Sequence, residues 1–249
     1  MIVIRDLFKS FGSQPVLSGV SLTIPSGQTI AIVGPSGTGK SVLLKILTGL
    51  IEADAGEVLI DGQSMTEAKN GQMRRQICSQ MGMLFQGAAL LDSLTVYQNV
   101  AFPLLQRREL SAAQVREQSL RRLNDVGLKG SEGAMPGEIS IGMRKRVGLA
   151  RALVTNPSVM LFDEPNTGLD PKTGQEIYEL IKATQKASGI TAIVVSHEIP
   201  EVFQVCDRVA MLYKGVVQEE GPVESFLASV NPVVRQFIDG RTTGPIQMV

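Results

Sequence analysis

The strongest constraint on the fold of this chain is an unbroken passage from an apolar strand through a glycine-rich loop into a helix. Residues 29–33 read TIAIV, residues 34–41 read GPSGTGKS and residues 42–50 read VLLKILTGL. Glycines let successive backbone N–H groups point at phosphate oxygens, and a following helix adds the positive end of its dipole. The pattern G-x-x-x-x-G-K-[S/T] between a strand and a helix therefore predicts a nucleotide-binding loop.

Each residue of this loop is assigned to the nucleotide site. The predicted contacts are Gly34, Pro35, Ser36, Gly37, Thr38, Gly39, Lys40 and Ser41. Lys40 is expected to place its charge at the β- and γ-phosphates, and Ser41 to offer its hydroxyl to Mg²⁺. The alternative, a chance glycine-rich turn, does not require the strand and helix that flank the loop here.

Hydrophobic patterning predicts an α/β fold. Residues 29–33, 159–162 and 191–195 are apolar throughout, which is typical of parallel strands covered on both faces. Helical patterns at 41–50 and 172–188 lie between them. Residues 20–24 and 56–64 instead alternate, which predicts half-buried antiparallel strands with a turn at Asp61-Gly62.

A mostly helical insertion is predicted at about residues 88–155. Inside it, Ser111 and Gln114 have the spacing of a capping box, and Gly127 is expected to end that helix. No repeat or linker indicates a second full domain.

Composition excludes several function classes. Lys+Arg and Asp+Glu are both 24, and aromatic residues make up 4% of the chain, which argues against a nucleic-acid partner. Two distant cysteines fit a reducing compartment rather than a disulfide framework. Charges in the first ten residues argue against a signal peptide, and no apolar run reaches the ~20 residues of a membrane helix, so we expect a cytoplasmic protein.

Four polar side chains are expected at the carboxyl ends of strands, where α/β sheets bind ligands. Asp163 is predicted to hold Mg²⁺, and Glu164 to act as general base toward the attacking water. His197, the only histidine, is expected to orient that water, and Gln86 to contact it or the Mg²⁺. The alternatives are carboxylates that only cap the next helix and a structural histidine.

Residues 138–151, EISIGMRKRVGLAR, predict a helix that begins after Ser140. Ser140 is either an ordinary N-cap or part of an anion site. Four basic residues of this helix are expected to form a solvated face with some interface contacts: Arg144, Lys145, Arg146 and Arg151.

The order of these motifs resembles ATP-binding cassette (ABC) ATPases over nearly the whole chain. The resemblance implies one ATPase domain at 1–240 that binds ATP and Mg²⁺ and forms a homodimer. It implies that Phe11 stacks on adenine and that Ser140 and Gly142 contact ATP held by the second subunit. It also assigns Asp170, in the Leu169-Asp170 loop, to the nucleotide site. Ile141 stands where the family has glycine, and we expect the site to survive that change.

A narrower resemblance concerns the ATPases of lipid transporters that work with mammalian-cell-entry (MCE) proteins, of the lipid-asymmetry-maintenance or toluene-tolerance type. It is based on Val42, a predicted nucleotide-site residue, on residues 82–104 and on residues 231–245. It implies phospholipid transport between inner and outer membranes, a permease, a periplasmic MCE partner, and a location on the cytoplasmic face of the inner membrane.

Two details of that resemblance stay open. Three leucines either line the groove for the permease's coupling helix or belong to the core of the helical insertion: Leu90, Leu91 and Leu94. The tail at 241–249 either reaches the partner subunit or is disordered. The alternative functions are a cassette ATPase for another cargo and a soluble cassette ATPase acting on DNA or ribosomes.

Overall fold

A computed structural model describes residues 1–68 and 71–247, and the strands in these ranges form two sheets. The strands are β1 (Ile2–Phe11), β2 (Gln14–Ile24), β3 (Thr29–Val33), β4 (Ala55–Ile60), β5 (Gln63–Ser64), β6 (Met81–Leu84), β7 (Val159–Asp163), β8 (Thr191–Ser196), β9 (Arg208–Tyr213) and β10 (Val216–Pro222). The order β2-β1-β4-β5 makes an antiparallel sheet. The order β10-β9-β3-β8-β7-β6 makes a second sheet, parallel except for the β9–β10 pair.

Helices cover the parallel sheet. They are α1 (Lys40–Leu47), α2 (Gly71–Ser79), α3 (Val96–Arg107), α4 (Ala112–Asp125), α5 (Ile141–Leu153), α6 (Pro171–Ser188), α7 (Val223–Leu227) and α8 (Pro232–Ile238). Short 3₁₀ turns lie at Pro136–Glu138 and Glu201–Gln204. No helix in residues 1–68 and 71–247 has the length and apolar composition needed to cross a membrane.

Alternation along the buried strands divides the core between the two faces of the parallel sheet. In β3, Ile30 and Ile32 join one apolar cluster with α1 and the antiparallel sheet. Ala31 and Val33 join the other cluster with α3, α4, α5 and α6. Because successive side chains point to opposite faces, a strand that is apolar throughout can belong to both clusters. The predicted α/β class is therefore confirmed.

The carboxyl ends of four parallel strands lie side by side. Val33 pairs with Ser196 between β3 and β8, and Asp163 pairs with Val195 between β7 and β8. In β6, Leu84 pairs with Phe162 of β7. The loop at 34–41 and the residues that follow β6, β7 and β8 consequently meet at one edge of the sheet.

Several predicted boundaries differ from the structure. The helix expected at 41–50 ends at Leu47, because Gly49 adopts a positive φ of 69°. The strand expected at 20–24 is the last part of β2, which starts at Gln14. The helix of the insertion begins after Ser111 and ends at Asp125, two residues before Gly127, as expected.

The last described residues pack on their own chain. Ile246 is 8% exposed, and its backbone exchanges two hydrogen bonds with the Gln236 side chain. The Tyr213 hydroxyl donates to the carbonyl oxygen of Pro245 at 3.3 Å. Of the predicted tail at 241–249, residues 248–249 lie outside the described residues.

Candidate nucleotide site

Glycines at 34 and 39 shape the predicted phosphate loop. Gly34 has a φ of 147°, and a Cβ atom there would overlap the carbonyl oxygen of Leu212. Gly39, the N-cap of α1, has a φ of 98°, and its Cβ would lie 3.0 Å from the side chains of Val16 and Leu17. Neither position tolerates a side chain easily, so the loop keeps its curvature only with glycine.

Lys40 lies inside the loop and is 5% exposed. Its Nζ donates to the carbonyl oxygens of Gly34 and Pro35, both at 2.8 Å. Burial lowers the pKa of the ammonium group, while the carboxylates of Glu164 and Asp163 oppose that shift. No described side chain caps the start of α1, so its first backbone N–H groups are available to an anion.

Ser41 and Asp163 form a pair of oxygen donors beside the loop. Ser41 Oγ donates to Asp163 Oδ1 at 3.1 Å, and Asp163 is 8% exposed. Burial raises the pKa of the Asp163 carboxyl, and the hydrogen bond from Ser41 opposes this shift. A carboxylate and a hydroxyl are protein ligands that Mg²⁺ accepts alongside substrate phosphates, so the Ser41–Asp163 pair fits a magnesium site.

Glu164 is the centre of a hydrogen-bonded group that we call the carboxylate cluster: Gln86, Glu164, Thr167 and His197. Gln86 Nε2 donates to Glu164 Oε2 at 2.9 Å, and Thr167 Oγ1 donates to the same oxygen at 3.1 Å. His197 Nδ1 lies 3.0 Å from Glu164 Oε1. The structure therefore brings together the three residues predicted to be catalytic, and Thr167 is a contact that sequence reasoning missed.

The backbone of Glu164 has an unusual conformation. Its φ of 48° lies in the left-handed region, which costs free energy for a residue other than glycine. The Glu164 N–H donates to the carbonyl oxygen of Val195 at 3.0 Å, which ties the residue to β8. The alternative role for the paired carboxylates, capping the next helix, does not hold, because Asp170 caps α6.

A buried polar network behind the cluster connects the segments that carry Glu164 and His197. The Tyr178 hydroxyl lies 3.0 Å from Asn166 Oδ1 and 3.3 Å from Ser196 Oγ, and Asn166 donates to the Glu198 carboxylate. Tyr178 is fully buried, and burial raises the pKa of its hydroxyl. This network was not predicted, because a tyrosine within a helix gives no sign of partners 12 and 18 residues away.

Three other predicted residues form a separate helix-start group: Ser140, Gly142 and Asp170. Ser140 Oγ accepts from the Met143 N–H at 3.2 Å and caps α5, and Asp170 Oδ1 accepts from the Thr173 N–H at 3.1 Å and caps α6. Hydrogen bonds from Thr173 lower the pKa of the Asp170 carboxyl. A Cβ at Gly142 would lie 2.7 Å from Thr173 Cγ2, so the starts of α5 and α6 are in close contact.

Comparison with known proteins decides the family. A family model described as ABC transporter matches residues 17–167. The chain belongs to this family. A solved dimeric ATP-binding cassette, in a post-hydrolysis state bound to ADP and Pi, superposes with a TM-score of 0.82 at 32% identity, covering 90% of this chain and 99% of that one. The chain is therefore an ABC ATPase, as the order of motifs predicted.

Two relatives of this ABC ATPase differ in the cargo that their names give. The intermembrane phospholipid transport system ATP-binding protein MlaF of Escherichia coli is 37% identical over 246 residues, which cover 99% of this chain and 91% of MlaF. The probable ribonucleotide transport ATP-binding protein mkl of Mycobacterium tuberculosis is 43% identical over 247 residues, which cover 99% of this chain and 68% of the relative.

The basic residues of α5 do not form the solvated face that sequence analysis expected of this ABC ATPase. Lys145 is 2% exposed, and its Nζ donates to the carbonyl oxygens of Gln86 and Glu164. Arg151 donates to those of Ala88 and Ala89. Arg144 and Arg146 likewise donate to backbone carbonyl oxygens, those of Pro136 and Val126. The expectation of a solvated face was wrong for Lys145, which is buried, while the three arginines are half-buried. Charge alone does not indicate exposure when carbonyl oxygens are within reach.

The remaining predicted residues lie at the edges of the cassette. Phe11 ends β1 and is 50% exposed, and the Lys9 ammonium group lies 5.5 Å from the centre of its ring. Val42 packs, partly buried, against the α1 side of the core. Leu91 is 41% exposed, whereas Leu90 and Leu94 are half-buried.

Proposed function

We propose that this ABC ATPase is the motor subunit of a transporter that moves phospholipid between bacterial inner and outer membranes. The main support for the cargo is the resemblance to MlaF, which extends over 91% of MlaF and 99% of this chain. Val42 and residues 82–104 add the narrower resemblance described above. Ribonucleotide is the second candidate cargo, and it is favoured by the 43% identity to mkl.

Glu164 is the proposed general base. Its carboxylate takes a proton from water as the water oxygen attacks the γ-phosphorus of ATP, and the bond from that phosphorus to the bridging oxygen of ADP breaks. The His197 ring and the Gln86 amide contact opposite oxygens of this carboxylate. This proximity supports the proposal that His197 orients the attacking water and that Gln86 contacts that water or the Mg²⁺. Lys40 binds the β- and γ-phosphates.

Mg²⁺ is the proposed metal, with Ser41, Asp163 and Gln86 as its protein ligands. The support is the Ser41–Asp163 pair of oxygen donors, since these are ligands that Mg²⁺ accepts. When bound, the ion neutralises charge on the β- and γ-phosphate oxygens. Gln86 contributes an amide oxygen and therefore adds no further charge.

The active form is proposed to be a homodimer in which two copies hold each ATP. The support is the solved dimeric ATP-binding cassette, bound to ADP and Pi, that superposes on this chain with a TM-score of 0.82 at 32% identity. Ser140 and the N–H groups at the start of α5, near Gly142, contact the γ-phosphate held by the partner copy, where a helix N-terminus suits an anion. Phe11 stacks on the adenine, and Asp170 lies near the same nucleotide.

The proposed location is the cytoplasmic face of the inner membrane, as a peripheral subunit. An integral-membrane permease docks in a groove that includes Leu90, Leu91 and Leu94, and a periplasmic MCE protein contacts the permease on the other side. The exposed side chain of Leu91 supports this docking surface. Nucleic acid is not a proposed partner.

Replacing Glu164 tests the proposed chemistry. We expect Glu164→Gln to bind ATP with wild-type affinity, to hydrolyse it about 10²–10⁴-fold more slowly and to accumulate as a closed dimer with ATP and Mg²⁺. Phosphate release and light scattering measure these effects. Glu179→Gln, on the exposed side of α6, is the matched control with unchanged activity. A wild-type rate for Glu164→Gln would assign the base elsewhere.

The cargo requires a separate experiment on the transporter that co-purifies with this chain. Vesicles containing labelled phospholipid are supplied with ATP, and the label in each leaflet and in an added acceptor membrane is followed. ATP-dependent movement of phospholipid supports the proposal. Uptake of a labelled ribonucleotide with no movement of lipid would favour the second candidate.

A further inference from the structure

Lys145 is a buried cation close to the residues that carry the reaction. It lies on α5, five positions after Ser140, and is 2% exposed. Its Nζ donates to the carbonyl oxygen of Gln86 and, at 3.3 Å, to that of Glu164. These carbonyls belong to the two residues whose side chains meet at 2.9 Å in the carboxylate cluster.

A buried lysine lowers the stability of the fold unless its hydrogen bonds and nearby negative charge offset the cost of removing it from water. Removing an ammonium group from water costs free energy that hydrogen bonds and nearby negative charge must offset. Burial lowers the pKa of Lys145, and the charges of Glu164, Asp163 and Glu198 oppose the shift. No carboxylate in residues 1–68 and 71–247 forms an ion pair with it, so two backbone oxygens are its direct partners.

Other contacts of α5 hold the same segment in place. Arg151 donates to the carbonyl oxygens of Ala88 and Ala89 at 2.6 and 2.7 Å, and both alanines have positive φ angles. A Cβ at Gly148 would lie 2.8 Å from Leu84, so the helix approaches β6 closely. The backbone around Gln86 is therefore fixed to α5, whereas the Gln86 side chain is exposed.

We propose that Lys145 is a positioning residue that sets the placement of the Gln86 amide relative to the Glu164 carboxylate by holding both backbones. Because it lies on the helix that begins at Ser140, it joins the helix-start group to the carboxylate cluster within one chain. The inference depends on the catalytic roles proposed for Gln86 and Glu164.

The variant Lys145→Met tests this role in the full-length chain, purified with the transporter that co-purifies with it. Methionine keeps the unbranched shape and removes the donor and its charge. We expect kcat for ATP hydrolysis to fall about tenfold to a hundredfold, because small displacements of reacting groups have effects of this size. ATP affinity, measured with a fluorescent analogue, is expected to stay within about twofold, because the phosphate loop is untouched.

Lys182→Met is the matched control. Lys182 Nζ also donates to a backbone carbonyl oxygen, that of Gln204 at 2.6 Å, but it lies on α6 among exposed residues. Its kcat is expected to equal that of the wild type. If Lys145→Met does not fold, Lys145→Gln keeps a donor without the charge, and its kcat and ATP affinity are compared in the same way.

A double-mutant cycle with Gln86→Ala separates positioning from general damage. If Lys145 acts by placing the Gln86 side chain, then Lys145→Met slows the Gln86→Ala variant by no more than about twofold. Equal losses with and without Gln86, or a wild-type kcat for Lys145→Met, would overturn the inference. Wild-type rates for Gln86→Ala and Glu164→Gln would instead overturn the proposed catalytic roles.

Discussion

Ile141 lies in the first turn of α5 with 49% of its surface exposed, next to Gly142, which has Thr173 against it. An exposed side chain at this point does not fill a space that its own chain needs. Its own chain therefore leaves room for the isoleucine, and the expectation that the site with ATP survives this departure from the family's glycine stays a prediction.

We predict that Ile141→Gly hydrolyses ATP within about twofold of the wild-type rate while losing roughly 0.5–1 kcal/mol of stability, because glycine weakens a helix. Steady-state phosphate release and thermal unfolding measure the two effects. A rate several-fold higher in the variant would mean that the isoleucine obstructs the contact with ATP.

Single residues differ in how far the sequence reveals them. Lys40 and Glu164 follow from motif spacing, because a phosphate loop and a strand end restrict where their side chains can go. Lys145 was misjudged because its acceptors are carbonyl oxygens of residues 59 and 19 positions away. A local pattern carries no information about such partners.

At the scale of elements, the starts of α5 and α6 pack so closely at Gly142 that no added side-chain atom fits without displacing Thr173. A methyl group at Gly142 would lie 2.7 Å from Thr173 Cγ2, and threonine has few rotamers with which to avoid it. Overpacking of this kind costs roughly 1–3 kcal/mol, whereas alanine in place of glycine improves a helix by about 1 kcal/mol.

We predict that Gly142→Ala lowers the free energy of unfolding in the wild type but raises it by about 0.5–1 kcal/mol in the Thr173→Ser background. Serine lacks the Cγ2 methyl group and keeps the hydroxyl. Urea unfolding of the two single variants and the double variant measures the coupling. Strictly additive changes would show that the two side chains do not compete for space.

Elements were predictable where burial is complete or alternation is regular. The parallel strands β3, β7 and β8 were found as uninterrupted apolar runs because both faces of their sheet are covered, one by α3–α6 and the other by α1 and the antiparallel sheet. Only the last part of β2 was predicted, because Gly19 at φ 96° and shifts of register interrupt the alternation before Val20. β1, β9 and β10 were not predicted, since their place depends on pairing across the sheets rather than on local sequence.

At the scale of the whole molecule, the residues predicted to contact one nucleotide lie in two groups. The phosphate loop adjoins Asp163 and the carboxylate cluster, while the helix-start group lies where α5 contacts α6. In the proposed homodimer the two groups that hold one ATP belong to different copies, and this arrangement can be tested without disturbing the fold.

We predict that Ser140→Asp abolishes ATP-induced dimerisation in the Glu164→Gln background. Aspartate caps a helix as well as serine does, so the fold and the ATP affinity of the single copy are expected to persist. Its carboxylate repels the γ-phosphate of the partner's ATP and has no proton to donate to it. Light scattering and binding of a fluorescent nucleotide measure the two properties.

Ser111→Asp is the control for this substitution, because Ser111 caps α4 through the same kind of hydrogen bond, to the N–H of Gln114. It is expected to dimerise normally. Continued dimerisation of Ser140→Asp at saturating ATP would contradict the shared arrangement.

The cap on α5 has one more consequence, for turnover. Ser140 Oγ accepts the Met143 N–H within its own chain, so the start of this helix is capped whether or not a second copy is present. In the proposed homodimer, two copies that separate after each round of ATP hydrolysis must each keep their contact surfaces folded while apart. Because Ser140 Oγ caps its own helix and its hydroxyl still has a proton to donate, the two copies can associate and separate repeatedly while α5 stays folded in each.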